Sequence, residues 1–348
     1  MNLRIVLLGN FEGRGDEGFR NISQSFRLHF SFRYQVLTFN TTQALKINVI
    51  QEIISFRPHI LHYLSGPTFK SLLILKLYKI FLGESVKIVV SATRPFFRNY
   101  EKKLLSILKP SIVLTQATKW EKVFKNANMK TKFIPNPINY NKFRKLNISS
   151  SQLRKKYALP INKKLILHVG HIRSNRNLEL LGDIQSSLIK QNIQIVIVGS
   201  THFPPENSLL KFLKEKGCIV LLGYIEKIEE IYNACDIYVF PVKGLAPNIY
   251  PKTLDEVGVV DMPLSILEAL ACELPIISTP IDSIGYLLDG IDNPPVYFFD
   301  GTLNGFEKGI NEFNYNKLSF EKIKLKINSK NVFKQVDLIY KKLVGYNE

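Results

Sequence analysis

Short apolar segments recur along the chain and are separated by longer amphipathic segments. The apolar runs that predict strands are 4–9, 59–64, 87–92, 111–116 and 132–136 in the first half, and 164–170, 193–199, 218–223, 237–242 and 274–279 in the second. Continuously apolar strands separated by helical lengths are typical of parallel sheets covered by helices on both faces. The pattern therefore predicts an α/β fold with two Rossmann-like domains in tandem.

A polar stretch separates the two series of strands. Residues 141–157 interrupt the apolar pattern, and a chain of 348 residues exceeds one comfortable core. We therefore predict a first domain of residues 1–145, completed by a C-terminal helix at about 331–348, and a second domain of residues 150–330. Ligands of parallel sheets bind beyond the carboxyl ends of the strands, so we expect the two domains to face each other across a cleft.

The chain contains no predicted membrane span. Its first residues, MNLRIVLLGNF, have a short apolar run that ends at Gly9 and predicts a strand rather than a secretory signal. The longest apolar candidate, SLLILKLYKIFLG, is interrupted by Lys76 and Lys79. The three cysteines form neither an even framework nor a close pair, which is typical of reduced cytosolic thiols. We therefore predict a cytoplasmic protein that is soluble or bound to a membrane surface.

Positive charge is concentrated in the first half of the chain. The net charge is +18, and residues 1–150 contain 24 Lys and Arg against 7 Asp and Glu. The remaining residues contain 23 against 22. A lysine-rich composition alone would also give the second half a net positive charge. We therefore expect the first half to face an anionic partner.

An anionic membrane surface is the partner that the local pattern favours. Residues 69–87 and 94–111 mix Leu, Ile and Phe with spaced Lys and Arg, as do helices that lie on anionic lipid. The alternative is that the apolar residues only pack on the first sheet while the lysines face water. No recognisable nucleic-acid-binding module is present, so a nucleic-acid partner is not expected.

Three glycines follow the first predicted strand. Gly13, Gly15 and Gly18 permit a tight turn, and the helix after them would direct free N–H groups at an anion. No acidic residue ends a second strand about 20 positions further on, so this is not the dinucleotide-binding fingerprint. A generic flexible loop is the alternative.

Three potentially cationic side chains follow the strand at 164–170. Gly170 ends this strand, and His171, Arg173 and Arg176 crowd the turn before the next predicted helix. Cations at a helix N-terminus oppose the helix dipole unless an anion also lies there, which favours a phosphate site over a solvated loop. Gly199 ends the following strand and would let a ligand lie against the backbone.

An acidic residue interrupts the apolar helix predicted at PLSILEALACELPII. Pro263 suits the first turn of a helix, and the N–H groups of Leu264 and Ser265 would be available to a ligand phosphate. Glu268 lies about one turn further on, among apolar residues, where an unpaired carboxylate costs free energy. Hydrogen bonds from ligand hydroxyls would explain this acid. A glutamate that only complements the helix dipole is the alternative.

Four segments in order carry a resemblance to a known family. HVGHIRSNRNLELL, IPNPINYNKF, LLGYIEKIEEIYNACDIYVFP and PLSILEALACELPIIST together resemble retaining glycosyltransferases of family 4, the "glycosyl transferases group 1" set with the GT-B fold. The resemblance is close over residues 110–285 and looser at the N-terminal glycines and the C-terminal helix. It implies that the second domain binds a nucleotide-sugar donor. The first domain would then bind the acceptor, a glycan or a lipid-linked glycan.

The resemblance also implies roles for single residues. Glu268 matches the second acid of the family's paired-glutamate motif, which holds the ribose hydroxyls. The amides of Leu264 and Ser265 would hold a phosphate. Tyr224 and Ile225 would flank the base.

Two positions depart from the family's pattern. The first glutamate of the pair should fall at Val260, and we expect the neighbouring Asp261 to take over recognition of sugar hydroxyls. The family's Arg and Lys phosphate ligands fall on His171 and Arg176. Arg173 would supply the charge that a histidine does not guarantee at neutral pH.

The sequence therefore predicts a metal-independent retaining glycosyltransferase, with no cofactor beyond its donor, that acts in cell-envelope polysaccharide or glycoconjugate synthesis. No DxD sequence marks a divalent ion. Arg176, with His171 or Arg173, would stabilise the leaving diphosphate. The alternatives are a GT-B nucleotide-sugar epimerase and a non-catalytic glycosyltransferase-like subunit that supports a partner.

Overall fold

The computed structural model describes residues 3–13, 17–188, 191–200, 204–242 and 261–345. The chain divides into two compact units, each built around one six-stranded parallel sheet. Unit 1 comprises residues 1–137, 260–262 and 329–348, and unit 2 comprises residues 138–259 and 263–328.

Unit 1 has the strand order β2-β1-β3-β4-β5-β6. The strands are β1 (Arg4–Gly9), β2 (Gln35–Asn40), β3 (Ile60–Tyr63), β4 (Lys87–Ala92), β5 (Ile112–Thr115) and β6 (Thr131–Phe133). Between them lie α1 (Gly18–Ser31), α2 (Ile47–Phe56), α3 (Phe69–Leu82), α4 (Asn99–Leu104) and α5 (Thr118–Asn126). Short 3-10 helices occupy Thr41–Gln43 and Leu105–Ile107.

Unit 2 has the strand order β12-β11-β10-β7-β8-β9. The strands are β7 (Lys164–Gly170), β8 (Ile193–Gly199), β9 (Ile219–Leu222), β10 (Ile237–Phe240), β11 (Ile276–Ser278) and β12 (Val296–Phe298). The helices are α6 (Ser150–Lys156), α7 (Leu178–Leu188), α8 (Asn207–Glu215), α9 (Ile228–Ala234), α10 (Leu264–Ala271), α11 (Asp282–Leu288), α12 (Leu303–Glu312) and α13 (Glu321–Ile327). Further 3-10 helices occupy Ser174–Arg176 and Tyr315–Lys317.

The last helix, α14 (Ser329–Leu343), returns the chain to unit 1, and the predicted C-terminal helix is therefore present. Its fully buried Tyr340 hydroxyl lies 2.5 Å from Nδ1 of His62 on β3. Asp337 accepts a hydrogen bond from Arg33 at 2.9 Å. These polar contacts fix α14 against β3 and the end of α1, because the buried Tyr340 and Asp337 side chains would be costly to leave unpaired.

Nine of the ten predicted apolar runs contain a strand and the run 132–136 overlaps β6, so the prediction of parallel α/β sheets is confirmed. The strands that the pattern missed are β2 and β12, which form an edge of their respective sheets. An edge strand has a neighbour on one side only, so it does not need the continuous apolar run that identifies a central parallel strand. Most residues of β2 are accordingly only half-buried.

Two further features bear on the sequence-based predictions. Among the described residues, no helix is long and apolar enough to cross a membrane. Cys218, Cys235 and Cys272 are buried and unbridged.

Candidate functional site

The strand order of unit 2 indicates where a ligand would bind. The chain runs from β7 to β8 on one side of β7, whereas β10 pairs with the other side. In open parallel sheets, ligands bind beyond the carboxyl ends of the strands at such a reversal of direction. Gly170 and Gly199 are paired in register at the carboxyl ends of β7 and β8, next to this point.

The two glycines have different reasons for lacking a side chain. A Cβ on Gly199 would lie 2.7 Å from Ile172 and 2.9 Å from Leu222, so packing within unit 2 excludes it. A Cβ on Gly170 would lie 3.1 Å from Nε2 of His168, where only a small adjustment is needed. Ligand contact is therefore not required to explain Gly199, and the predicted ligand role of both glycines stays a prediction.

The structure brings the three predicted cations together on one short loop at the carboxyl end of β7. His171, Arg173 and Arg176 are all half-buried there, ahead of α7. Asn177 ends the loop in the left-handed conformation with φ of 55°, and its side-chain amide donates to the Pro241 carbonyl at 3.0 Å. This bond ties the loop to the chain that leaves β10. The cations therefore lie at the reversal point of the sheet.

His168 is a buried polar residue beneath this loop that sequence reasoning missed. It is fully buried, and its Nδ1 lies 3.0 Å from the carbonyl oxygen of Val239. Burial, together with the charge of Arg176, lowers the pKa of His168 to about 4. The ring is therefore neutral at pH 7. A histidine within the otherwise apolar run KLILHVG was the available signal.

The start of α10 is open to a ligand. Pro263 precedes the first turn with φ of −62°, and no described side chain caps this helix. The first N–H groups of any helix lack an acceptor within the helix, so those of Leu264 and Ser265 are available to an anion. Both residues are half-buried. The predicted phosphate ligands thus lie at an uncapped helix N-terminus.

Glu268 lies one turn into α10, on the same side of the helix as Leu264. Its Oε2 accepts a hydrogen bond from the hydroxyl of Tyr232 at 2.9 Å. The side chain keeps some exposure, whereas Leu267 and Ala269 beside it are fully buried. Surrounding protein nevertheless raises the pKa of Glu268 to about 7, mainly by removing water from its carboxyl group. A carboxylate held in this state gains from additional hydrogen-bond donors.

Tyr224 and Ile225 follow the carboxyl end of β9, beside β8. Gly223 precedes them with φ of +114°, a conformation that favours glycine, and its N–H donates to the Gly199 carbonyl at 3.1 Å. The Tyr224 side chain is 45% exposed. A half-exposed ring at the carboxyl end of the sheet is available for stacking, and the assignment of base contacts to these residues stays a prediction.

Asp261 lies in unit 1, where it forms an ion pair. Its carboxylate is 8% exposed, and Oδ1 lies 3.1 Å from Nζ of Lys119. Its backbone N–H lies 3.4 Å from the Thr93 carbonyl oxygen. The sugar-recognition role of Asp261 stays a prediction. Val260, the position at which the family has its first glutamate, lies outside the described residues.

The N-terminal glycine loop differs from its prediction. Glu17 caps α1 by accepting hydrogen bonds from the N–H groups of Phe19 at 2.9 Å and Arg20 at 2.7 Å. The expectation of free N–H groups at this helix start is therefore wrong, because a carboxylate of the chain already occupies them. Gly18 is the first residue of α1, and a Cβ on Gly13 would lie 2.6 Å from the Arg20 guanidinium. Gly15 lies outside the described residues.

A family model matches part of the chain. Residues 163–310 match a family model described as "Glycosyl transferases group 1". No curated protein matches the chain.

Solved structures match the chain over nearly its whole length. A glycosyltransferase from Rickettsia africae is 16% identical, with a TM-score of 0.74 over 99% of this chain and 100% of that one. HepE from Anabaena, in complex with UDP and glucose, is 13% identical, with a TM-score of 0.70 over 97% and 99%. Sucrose-phosphate synthase from Thermosynechococcus elongatus is 13% identical, with a TM-score of 0.71 over 99% and 100%. The predicted GT-B fold is confirmed.

Proposed function

We propose that this protein is a glycosyltransferase that transfers sugar from a nucleotide-diphosphate sugar with retention of anomeric configuration, since its residues 163–310 match the glycosyl transferases group 1 model. A uridine donor is the first candidate, because HepE from Anabaena, which shares the fold, binds UDP-glucose. The acceptor is a glycan or lipid-linked glycan of the cell envelope.

The uncapped start of α10, with Glu268 one turn further on, is the observation that carries this proposal. The amides of Leu264 and Ser265 bind the diphosphate, since a helix N-terminus favours negative charge. The Glu268 carboxylate accepts hydrogen bonds from the ribose hydroxyls. Such bonds to a charged group contribute about 1.5–3 kcal/mol each. The same carboxylate keeps its bond to Tyr232, which orients it.

The cationic loop stabilises the leaving group. The bond between the anomeric carbon and the phosphate oxygen breaks, and the charge that develops on the diphosphate is met by Arg176 with Arg173 or His171. The acceptor oxygen bonds to the same face of the anomeric carbon, and its proton passes to the departing phosphate. These cations replace the divalent ion that other transferases use, so the reaction is metal-independent.

The remaining predicted residues position the donor. Tyr224 and Ile225 flank the base, and Gly170 and Gly199 allow the backbone to approach the ligand. Asp261 binds a hydroxyl of the donor sugar, and its ion pair with Lys119 at 3.1 Å orients the carboxylate. Asp261→Asn should therefore change the preferred sugar or abolish transfer. Unchanged activity and preference would reduce Asp261 to a structural residue.

A direct test uses the purified protein and a panel of UDP-, GDP- and ADP-sugars. Thermal stabilisation identifies the donor, because a ligand that binds only the native state raises its stability. Release of nucleoside diphosphate measures turnover with and without EDTA, and proton NMR of the product reports the anomer. Binding of none of the nucleotide sugars contradicts the proposal. Inversion of the anomer would contradict retention of configuration. Loss of activity in EDTA would contradict metal independence.

An outer surface of unit 1 supports a lipid-linked acceptor. The exposed face of α3 and the segment after it, which we call the α3–α4 surface, presents seven large apolar side chains: Leu73, Leu77, Ile80, Phe81, Tyr100, Leu104 and Ile107. The opposite face of α3 buries Leu72, Leu75 and Tyr78 in the core. Packing on the sheet therefore accounts for one face of the helix only.

Cations accompany the α3–α4 surface. Lys76 donates to the Ile107 carbonyl at 3.1 Å, which joins the outer faces of α3 and the following 3-10 helix. Lys70 and Lys103 are also exposed. Each cation near an anionic surface contributes about 1 kcal/mol to binding. The protein therefore binds reversibly to the cytoplasmic face of an anionic membrane, where a lipid-linked acceptor is available.

Sedimentation with liposomes tests this membrane binding. Anionic but not neutral liposomes should bind the protein, and high salt should release it. Ile80→Gln should weaken binding, whereas Leu325→Gln, at a similarly exposed position of unit 2, should not. Absence of binding at low salt, or equal effects of the two substitutions, would argue against the α3–α4 surface. Donor binding is measured separately and is independent of this result.

A further inference from the structure

A small recess in unit 1 opens at the carboxyl ends of β4 and β5. Thr93, Gln116 and Asn136 supply its polar lining, and Phe26 of α1 contributes to its apolar wall. The space accommodates a single water-sized group. The carboxyl ends of parallel strands are where such sheets bind ligands.

A series of hydrogen bonds determines which atom Gln116 presents to this recess. The side-chain amide nitrogen of Asn136 donates to the Met262 carbonyl at 2.8 Å. The Asn136 oxygen Oδ1 must therefore be the acceptor for Gln116, whose Nε2 donates to it. Because a backbone carbonyl cannot donate, neither amide can be reversed without losing a bond. Oε1 of Gln116 is consequently an acceptor.

Two polar atoms of the recess have no partner among the described residues. These are Oε1 of Gln116 and Oγ1 of Thr93, on side chains that are 5% and 0% exposed. Buried polar atoms in native proteins are rarely left without a hydrogen bond. Oε1 can only accept, whereas the Thr93 hydroxyl can donate or accept. One group that both donates and accepts would satisfy the two atoms together.

We propose that this recess binds one hydroxyl group of the sugar acceptor. The hydroxyl donates to Oε1 of Gln116 and accepts from the Thr93 hydroxyl. A phosphate or carboxylate oxygen would be repelled by Oε1, and a sugar ring exceeds the available space, so one hydroxyl substituent enters while the ring stays outside. The inference rests on the proposed function, which assigns the acceptor to unit 1.

Charged groups lie next to Thr93 and extend the polar surroundings of the recess. The N–H of Asp261 lies 3.4 Å from the Thr93 carbonyl oxygen, and the Asp261 carboxylate is ion-paired with Lys119 at 3.1 Å. The exposed Lys119 ammonium can engage a further hydroxyl of the acceptor sugar. A polyhydroxylated ligand is thus favoured over a monohydric alcohol.

Two isosteric substitutions test the recess. Thr93→Val and Gln116→Met remove the unpartnered atoms and keep the side-chain volumes close to those of the parent. Gln116→Met also removes the bond from Nε2 to Asn136, so Thr93→Val is the more specific of the two. Thr115→Val is the matched control, because Thr115 is fully buried on β5 and its hydroxyl lies 3.5 Å from the Lys132 carbonyl oxygen instead. Ligand-observed NMR measures binding of the methyl α-glycosides of glucose, galactose, mannose and N-acetylglucosamine to the parent and each variant.

We expect at least one glycoside to bind the parent, and its Kd to rise roughly tenfold in Thr93→Val and Gln116→Met, as for 1.4 kcal/mol, but not in Thr115→Val. Absence of binding to the parent, or equal binding by all four proteins, would overturn the proposal. A crystal structure of the parent soaked with the same glycosides keeps the test valid if a variant fails to fold. A water molecule alone in the recess would also overturn it.

Binding of UDP-glucose to the same proteins is measured in parallel. Its Kd should stay within twofold of the parent value in both recess variants. If the parent does not bind UDP-glucose, this result would count against the donor assignment in unit 2. The glycoside result would then still decide the recess separately.

Discussion

The N-termini of α1 and α10 differ in whether a described side chain accepts hydrogen bonds from their first N–H groups. At α1, Glu17 accepts hydrogen bonds from the N–H groups of Phe19 and Arg20. At α10, the chain enters through Pro263 and no described side chain caps the helix. The first helix start is satisfied by the protein itself, whereas no described side chain accepts hydrogen bonds from the second. Glycines before a helix are therefore weaker evidence for an anion site than the lack of a cap.

The two units also differ in where they carry positive charge. Two arginines and a histidine of unit 2 share the loop between β7 and α7, at the reversal point of the sheet. The excess cations of unit 1 are spread over outer helices such as α3 and α4, among exposed apolar side chains. A compact group of cations suits a diphosphate, whereas a dispersed set suits an extended anionic surface.

The largest effect is expected for Arg176→Ala. If Arg176 meets the charge that develops on the leaving diphosphate, its removal should lower kcat by roughly 100-fold or more. Thermal unfolding should change little, since Arg176 is half-buried in a loop. The matched control is Lys211→Ala, which removes an exposed cation of α8 and should leave kcat unchanged. A near-normal kcat for Arg176→Ala would mean that Arg176 does not stabilise the leaving diphosphate.

Glu268→Gln should weaken donor binding on the order of 10- to 100-fold, because hydrogen bonds to a charged acceptor are lost. Calorimetric titration with the donor measures this change. Glu312→Gln, on an exposed face of α12, provides the control. The variant should remain folded, since the amide can still accept from Tyr232. Unaltered affinity for every nucleotide sugar would exclude contact between Glu268 and the donor.

The raised pKa of Glu268 predicts a pH dependence of donor binding. Only the ionised fraction accepts two hydroxyl donors, and with a pKa of about 7 that fraction falls about tenfold between pH 8 and pH 6. Donor affinity should fall by a similar factor over this range in the parent. In Glu268→Gln the remaining dependence belongs to other groups. Equal pH profiles for the two proteins would contradict the prediction.

The same group should affect stability with the opposite sign. Burial raises its pKa from 4.5 to about 7 in the native state, so the unfolded chain loses this proton first as pH rises. The native state is therefore destabilised progressively between about pH 4.5 and pH 7, and this destabilisation persists above pH 7. Glu268→Gln should raise Tm relative to the parent at pH 8 and have little effect at pH 4. A uniform shift at all pH values would point to packing instead.

Glu17→Ala should have the smallest effect and the most specific one. Loss of the cap of α1 should lower the free energy of unfolding by about 1 kcal/mol. Denaturant titration measures this loss, and Glu17→Asp should recover part of it. Donor affinity should not change, because this helix start is closed by the chain. Weaker donor binding in Glu17→Ala would mean that the N-terminal loop, rather than α10, contacts the donor.

The placement of most candidate site residues in unit 2 could be predicted from the sequence, because it depends on local order. Gly170 ends an apolar strand, and the loop with His171, Arg173 and Arg176 follows it. Any parallel sheet places such a loop at its carboxyl edge. Glu268 was visible as an acid in an apolar helix. The capping of α1 was not predicted, since GRGDEG contains both glycines that suit an anion-binding turn and acids that can cap a helix. Only the backbone path decides that Glu17 turns back onto the helix.

Continuous apolar runs by themselves determined ten strands and the two-sheet α/β architecture, because a strand buried on both faces needs an apolar residue at nearly every position. Tertiary structure alone decided the edge strands β2 and β12, the neutral state of His168 and the polar recess of unit 1. In that recess, the orientation of Gln116 depends on Asn136, which depends in turn on Met262, 126 positions along the chain. Hydrogen-bond partners so distant leave no periodic trace in the sequence, since each bond is set by where the fold brings two segments together.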